Sequence, residues 1–240
     1  MLRLALALAL LPFAAAAGCR DMVFDGVSYT VCDVGAAQDL RLFDAGPDGA
    51  YGSFNAVEAE LAAQGETLGF AMNAGMYHPD LSPVGLYIEN YQQKKPLVTR
   101  AGPGNFGLLP NGVFCFGDGV LRVVESLRFK AEAPRCRYAT QSGPMLVIEG
   151  SLHPMFRLGS EQRQIRNGVG ASQDGQRAYF AISNQAVNFY DFARLFRDGL
   201  GVRNALYFDG KISRLLAPDL ARMDAGFPMG PMLGLVVPRG

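Results

Sequence analysis

Residues 178–210 read AYFAISNQAVNFYDFARLFRDGLGVRNALYFDG, and this stretch decides the reading of the fold. The segment 178–183 sets Tyr179 and Phe180 among small and branched residues, as a buried strand does. Asn188 is a helix N-cap residue with Asp191 at the third position. Phe189, Phe192, Leu195 and Phe196 then form one apolar stripe at helical spacing, and Gly199 stops the helix. The run 204–208 is a second apolar strand. The result is a strand–helix–strand crossover over 178–208, a connection that usually joins parallel strands. Asp209-Gly210 falls at the carboxyl end of the second strand, where ligands bind in open α/β sheets.

Outward from this unit the chain reads as many short strands joined by turns. Apolar or alternating runs at 27–34, 40–43, 68–72, 85–89, 113–116, 120–125 and 145–148 are strands. Asn55 caps a helix, with Glu58 three positions later and Val57, Leu61 and Ala62 on one face. Glycine and proline are spread throughout, with no repeat and no low-complexity linker. The fold class expected is α+β, or mixed α/β: a strand-rich single domain over 18–240 with few helices.

Composition supports a globular chain, with 49% hydrophobic and 18% charged residues and a formal net charge of zero. That balance gives no reason to expect nucleic acid or an anionic membrane surface as partner. Arg outnumbers Lys 18 to 4; genomic codon bias explains this, and the functional alternative is anion handling. Arg3, the apolar run 4–11 and the small residues Ala15-Ala16-Ala17 compose a signal peptide over 1–17. The apolar run is too short to span a bilayer. The mature chain is therefore expected in the periplasm or secreted, without a transmembrane segment. A lipid anchor on Cys19 is the rival reading, weakened by the lack of Leu three residues before it. Four cysteines in an exported chain allow three pairings. The local ones, Cys19–Cys32 and Cys115–Cys136, are expected.

Four stretches combine rare polar residues with glycine: 73–77 (NAGMY), 141–144 (QSGP), 166–170 (RNGVG) and 209–213 (DGKIS). Singly, each is a turn between strands. Together with Pro83-Val84-Gly85, Asp174-Gly175 and the run from Asn204 to Gly210, they resemble the phosphodiester glycosidase family. Its type is the uncovering enzyme, N-acetylglucosamine-1-phosphodiester alpha-N-acetylglucosaminidase. The resemblance runs from about Leu68 to the C-terminus. It is strongest toward an exported bacterial branch, through 104–106 (GNF), 110–114 (PNGVF) and the Asn188 helix start. One departure stands out: Lys211 and Ile212 replace the glycines that follow the aspartate in the animal enzyme.

The resemblance implies an exported hydrolase that cleaves the anomeric C–O bond of a sugar-1-phosphodiester. The leaving phosphate needs a cationic or hydrogen-bonding cradle more than a proton. Arg166 offers a fork of donors, and Gly75, Gly168 and Gly170 offer backbone N–H groups. The oxocarbenium-like carbon needs a carboxylate. Asp209 is the first candidate and Glu89, ending its own strand, the second. Asn73, Ser142 and Ser213 are candidates for sugar hydroxyls or phosphate oxygens. Asn73 also suits a turn, and Ser213 suits a helix turn starting at Gly210.

No cofactor is required by this scheme, and a bound calcium or magnesium ion is compatible with it. His78 and His153 each precede proline and stand apart, unlike the ligands of a two-metal phosphodiesterase. Ser142 lacks the G-x-S-x-G elbow of serine hydrolases. Two further readings remain: a binding module for a glycan or phosphorylated sugar, and a metal-dependent phosphodiesterase cutting P–O.

Overall fold

The computed structural model describes residues 18–240, so the expected signal peptide lies outside the described residues. β1 (Gly18–Phe24) and β2 (Val27–Gly35) form a hairpin closed by Asp25-Gly26 at φ 49° and 75°, the two-residue turn that follows strand twist. β3 (Leu40–Phe43) and a minor hairpin of β4 (Ala45–Gly46) and β5 (Gly49–Ala50) lead to α1 (Phe54–Ala62). The cap of α1 is Ser53, whose Oγ accepts the Ala56 N–H at 3.3 Å, not Asn55. Glu58 instead accepts from the Leu68 N–H at 2.9 Å, tying α1 to β6 (Glu66–Asn73).

β7 (Tyr87–Glu89) turns into β8 (Gln92–Lys95) through Asn90 and Tyr91, both at positive φ. β9 (Gly112–Gly117) and β10 (Val120–Glu125) follow, then α2 (Ser126–Glu132). The remaining strands are β11 (Tyr138–Ser142), β12 (Met145–Ile148), β13 (Ser151–Leu152), β14 (Asn167–Ala171) and β15 (Arg177–Ser183). α3 (Phe189–Arg194) then passes into a π turn over Leu195–Gly199. Its cap is Asn188, whose Oδ1 accepts the Asp191 N–H at 2.8 Å. β16 (Asn204–Asp209), β17 (Leu215–Ala217), β18 (Arg222–Met223) and β19 (Met232–Pro238) complete the chain.

Three main sheets result, in the orders β1-β2-β15-β14-β16-β12-β13, β10-β9-β11-β7-β8 and β18-β17-β6-β19-β3. Their inner faces meet in one core. Phe180 of the first sheet lies 5.6 Å from Phe114 of the second and 5.3 Å from Phe70 of the third, ring centre to ring centre. Each sheet also packs against a helix. Phe192 and Phe196 of the α3 unit lie against Val31, Ala205 and Tyr207. Val57 and Leu61 of α1 cover Leu68 and Leu216. Phe129 of α2 covers Val113 and Ala139. Strands with apolar side chains on both faces, such as β16, are the sequence consequence of this layering.

The direct parallel pairing expected of 178–183 and 204–208 is not found. β15 and β16 both pair antiparallel with β14, so they run the same way with β14 between them. The glycines of β14 make it look like a loop in the sequence, yet each glycine meets a space requirement. A β-carbon on Gly168 would lie 2.5 Å from the Leu206 carbonyl oxygen. One on Gly170 would lie 2.7 Å from Val202 and 2.8 Å from Phe196. This also corrects the reading of both glycines as phosphate donors, because they sit buried within the ladder.

Both expected disulfides form. Cys19–Cys32 joins directly opposed residues of β1 and β2, and Cys115–Cys136 ties β9 to the segment before β11. They close 13- and 21-residue separations; each adds about 3 kcal/mol in the chain-entropy model. With its sulfur bonded to Cys32, Cys19 has no thiol for a lipid. Among the described residues no helix is long and apolar enough to cross a membrane.

Gly170→Ala should lower stability by about 1–3 kcal/mol through overpacking against the α3 unit. Denaturant midpoints at unchanged m-value are the check, and an unaltered midpoint would show that α3 yields freely.

Candidate active site

β16 does not end regularly. Tyr207 pairs with Gly168 but Asp209 pairs with Asn167, so Phe208 is an extra residue and the strand bulges. A bulge re-aims the side chains beyond it. The Asp209 carboxylate accepts the Lys211 N–H at 2.9 Å, and the neighbouring Gly210 and Ile212 amides also favour its charged form. No salt bridge reaches Asp209 among the described residues. Burial raises its pKa above the ordinary carboxylate value, against the lowering by these three amides and by Lys211.

Beneath this carboxylate is a pair of fully buried amides. Asn167 Nδ2 donates to Asn73 Oδ1 at 2.8 Å and to the Asn73 carbonyl at 3.1 Å. Asn73 Nδ2 donates to the Ile212 carbonyl at 2.7 Å, and Asn73 Oδ1 accepts the Arg214 N–H at 2.9 Å. Asn167 Oδ1 accepts the Asp209 N–H at 3.1 Å. Ser213 Oγ lies within hydrogen-bond reach of Asn167 Oδ1, the Ile165 carbonyl and the Asp209 carbonyl. Ser142 Oγ donates to the Phe208 carbonyl at 2.8 Å. Three polar residues expected to touch substrate are thus brought together, and all three hold the backbone on either side of Asp209. No helix follows Gly210; the chain bends into β17, so the helix-terminus reading of Ser213 lapses.

Tyr207 borders the same carboxylate, and Asp209 contributes to its raised pKa after burial, the main cause. Its hydroxyl accepts from Arg166 Nη1 at 3.2 Å. A β-carbon on Gly210 would overlap that hydroxyl, so only glycine fits there. Arg166 is buried, its guanidinium 3.6 Å from the Phe189 ring centre. It also donates to the Val187 carbonyl at 2.9 Å and the Gln162 carbonyl at 3.1 Å. The donor fork expected to cradle phosphate is therefore turned to protein oxygens, and it positions Tyr207. Burial lowers the Arg166 pKa.

The other expected residues lie elsewhere. Glu89 ends β7 at a hairpin turn and pairs with Lys94; among the described residues no hydrogen bond or ion pair links it to the Asp209 cluster. Gly75, at φ 156°, packs on Thr140 and Gln141. His153 is buried, its Nδ1 accepting the Met155 N–H at 3.2 Å and its Nε2 bonding the Leu109 carbonyl at 3.0 Å. Among the described residues no group of three or more His, Cys, Asp or Glu is placed to hold a metal ion.

Sequence reasoning missed Tyr207, Asn167 and Arg214 as site residues. Tyr207 and Asn167 lay inside quoted motifs, Tyr207 reading as strand core, and Arg214 lay outside them. The Tyr77 hydroxyl donates to the Pro228 carbonyl at 3.0 Å. A shallow cleft of about 510 Å³ lies beside Lys211, Ser213 and Arg214, the segment that follows Asp209.

The profile of the phosphodiester glycosidase family matches residues 66–225. The uncharacterized protein YigE of Escherichia coli is 38% identical over 218 residues, covering 89% of this chain and 84% of that protein. Among solved structures, the catalytic domain of zebrafish N-acetylglucosamine-1-phosphodiester alpha-N-acetylglucosaminidase, auto-inhibited by its pro-peptide, matches at TM-score 0.60 and 13% identity, over 90% of this chain and 81% of that one. A Burkholderia pseudomallei protein described as exported matches at TM-score 0.55 and 12% identity, over 87% and 74%. These two likenesses show a shared fold. The matched span holds Asn73, Asn167, Tyr207 and Asp209 together, and the chain belongs to the phosphodiester glycosidase family.

Proposed function

We propose that the chain hydrolyses the anomeric C–O bond of a sugar-1-phosphodiester, with Asp209 facing the anomeric carbon. The observation that carries this reading is a half-buried carboxylate that accepts the Lys211 N–H at 2.9 Å and, among the described residues, is bound by no cation. Such a group is fixed in direction yet keeps its charge for a developing cation. As nucleophile or as base for water, Asp209 acts as the anion. With Arg166 Nη1 donating to its oxygen, Tyr207 keeps its own proton for a second partner, an oxygen of the departing phosphate. The two disulfides favour an oxidising compartment, and we place the mature protein in the periplasm or outside the cell. The substrate is a small or glycan phosphodiester. The scheme has no metal step, so chelation should leave turnover unchanged; loss on chelation would favour a metal-dependent phosphodiesterase.

Hydrolysis of N-acetylglucosamine-1-phosphate diesters in oxygen-18 water should put label in the sugar. Label in the phosphate would mean P–O cleavage. D209N should abolish turnover while leaving thermal stability equal or slightly higher, since burial disfavours the charge that Asn removes. A protein that binds these diesters without turning any over would be a binding module.

Because burial raises the Asp209 pKa, protonation on acidification occurs above the ordinary carboxylate value of about 3.9. Turnover should fall as pH drops through that raised value and remain full above it. A pH–rate profile flat down to about pH 4 would exclude Asp209 as the essential anion.

R166K keeps the charge but loses the fork. It should cost about 1–3 kcal/mol of stability by leaving buried oxygens unpaired, and should lower kcat through Tyr207 with KM little changed. A raised KM at constant kcat would return Arg166 to the phosphate.

A further inference from the structure

Arg214 differs from every other buried polar side chain near Asp209. It is 8% exposed, yet among the described residues its guanidinium has no hydrogen bond and no ion pair. Its backbone N–H is fixed by Asn73 Oδ1 at 2.9 Å, so the side chain leaves from a rigid point. Gly226, at φ 145°, lies so close that a β-carbon there would overlap the guanidinium. The side chain is thus walled in beside the cleft that Lys211, Ser213, Arg222 and Asp224 also line.

The charges in that cleft are unbalanced. Lys211, Arg214 and Arg222 face a single carboxylate, Asp224. Arg222 already binds Asp224 at 2.9 Å, and Asp224 also accepts the Leu215 N–H at 3.0 Å. Arg214 therefore has no internal counter-charge. A guanidinium that lines a cleft with no carboxylate bonded to it is open to a ligand anion. Its planar donors match a tetrahedral oxyanion in two-point contact. Lys211 and Ser213, which line the cleft, follow Asp209 directly in the chain, and Ser213 Oγ bonds the Asp209 carbonyl.

We propose that this cleft is a phosphate site, with Arg214 as its main ligand and Lys211 at its mouth. Resting on the reaction proposed above, the site takes the phosphoryl group of the diester while Asp209 faces the sugar carbon. Phosphate held there lies one loop away from Asp209, since Lys211 and Arg214 both belong to the segment that follows it. Ser213, between them, fixes that segment to Asn167 and Ile165.

The test is calorimetric titration of inorganic phosphate into the disulfide-bonded protein, its R214Q variant and its K211M variant. The unaltered protein should bind phosphate saturably. R214Q should weaken binding roughly tenfold or more, the loss of a charge-assisted two-point contact. K211M, whose side chain is exposed and leaves folding unaffected, should weaken it by roughly threefold. Unchanged affinity in K211M, or in a folded R214Q, overturns the assignment, as does absence of saturable binding by the unaltered protein. With the diester as substrate, R214Q should raise KM more than it lowers kcat. Arg214-dependent phosphate binding without any diester turnover keeps the site and discards the reaction. C–O cleavage with KM unchanged in R214Q keeps the reaction and discards the site.

Discussion

The paired amides of Asn73 and Asn167 are the constraint on which the rest of the site depends. Asn73 ends β6 in one sheet, and Asn167 begins β14 in another. Their 2.8 Å bond closes the seam between the two sheets at the point where β16 leaves it. Each amide has two donors and two lone pairs, and here they reach both sides of Asp209: its own N–H, the Ile212 carbonyl and the Arg214 N–H. Both residues are fully buried. Removing either leaves several buried groups unpaired at once, at about 1–3 kcal/mol each. A carboxylate mounted on such a seam cannot drift with one loop.

Above that seam the two halves of the site are built differently. On the Tyr207 side, an aromatic series runs from His153 to Phe156 to Phe189, with ring centres 4.8 and 4.9 Å apart, and ends on the Arg166 guanidinium. Every polar group there bonds protein. On the Arg214 side the cleft is lined by Lys211, Arg222, Asp224, Gly226 and Phe227, and among the described residues the guanidinium has no hydrogen bond or ion pair. The first arrangement holds a phenol in place; the second leaves a guanidinium without an acceptor. The same residue type thus serves as scaffold at 166 and, on the proposal above, as ligand at 214. The difference lies wholly in what oxygens surround it.

Much of this was legible in the sequence and some of it was not, for physical reasons. β12 announces itself because apolar side chains fill both faces of a layered sheet, and β2 and β10 through alternation of apolar and polar residues. The α3 unit does so through its cap at Asn188 and its stripe of four apolar residues. β14 does not, because two of its five residues are glycines that give way to Leu206 and Phe196. Propensity counts such glycines against a strand, while packing requires them in it. The mistaken loop at 166–170 also produced the mistaken parallel pairing, since β14 is the strand that separates β15 from β16. Asp209 was legible from its place after an apolar run. Arg214 was not, since nothing in a sequence tells a paired arginine from an unpaired one.

The protonation state of Asp209 follows from a contest that the fold sets up. The three amides that follow it favour the anion, as they would at any Asp-Gly turn. Burial opposes them and prevails in direction. An ordinary turn aspartate would sit in water with its pKa lowered, stable and of little use to a cation. Here the chain bulges at Phe208 and carries the same turn past the Tyr207 hydroxyl, while Arg166 spends its donors on that hydroxyl and on backbone carbonyls. A carboxylate so placed is disfavoured as an anion until positive charge develops near it. In the reaction proposed above, the anomeric carbon of the sugar would supply that charge, and the departing phosphate the anion that Arg214 lacks.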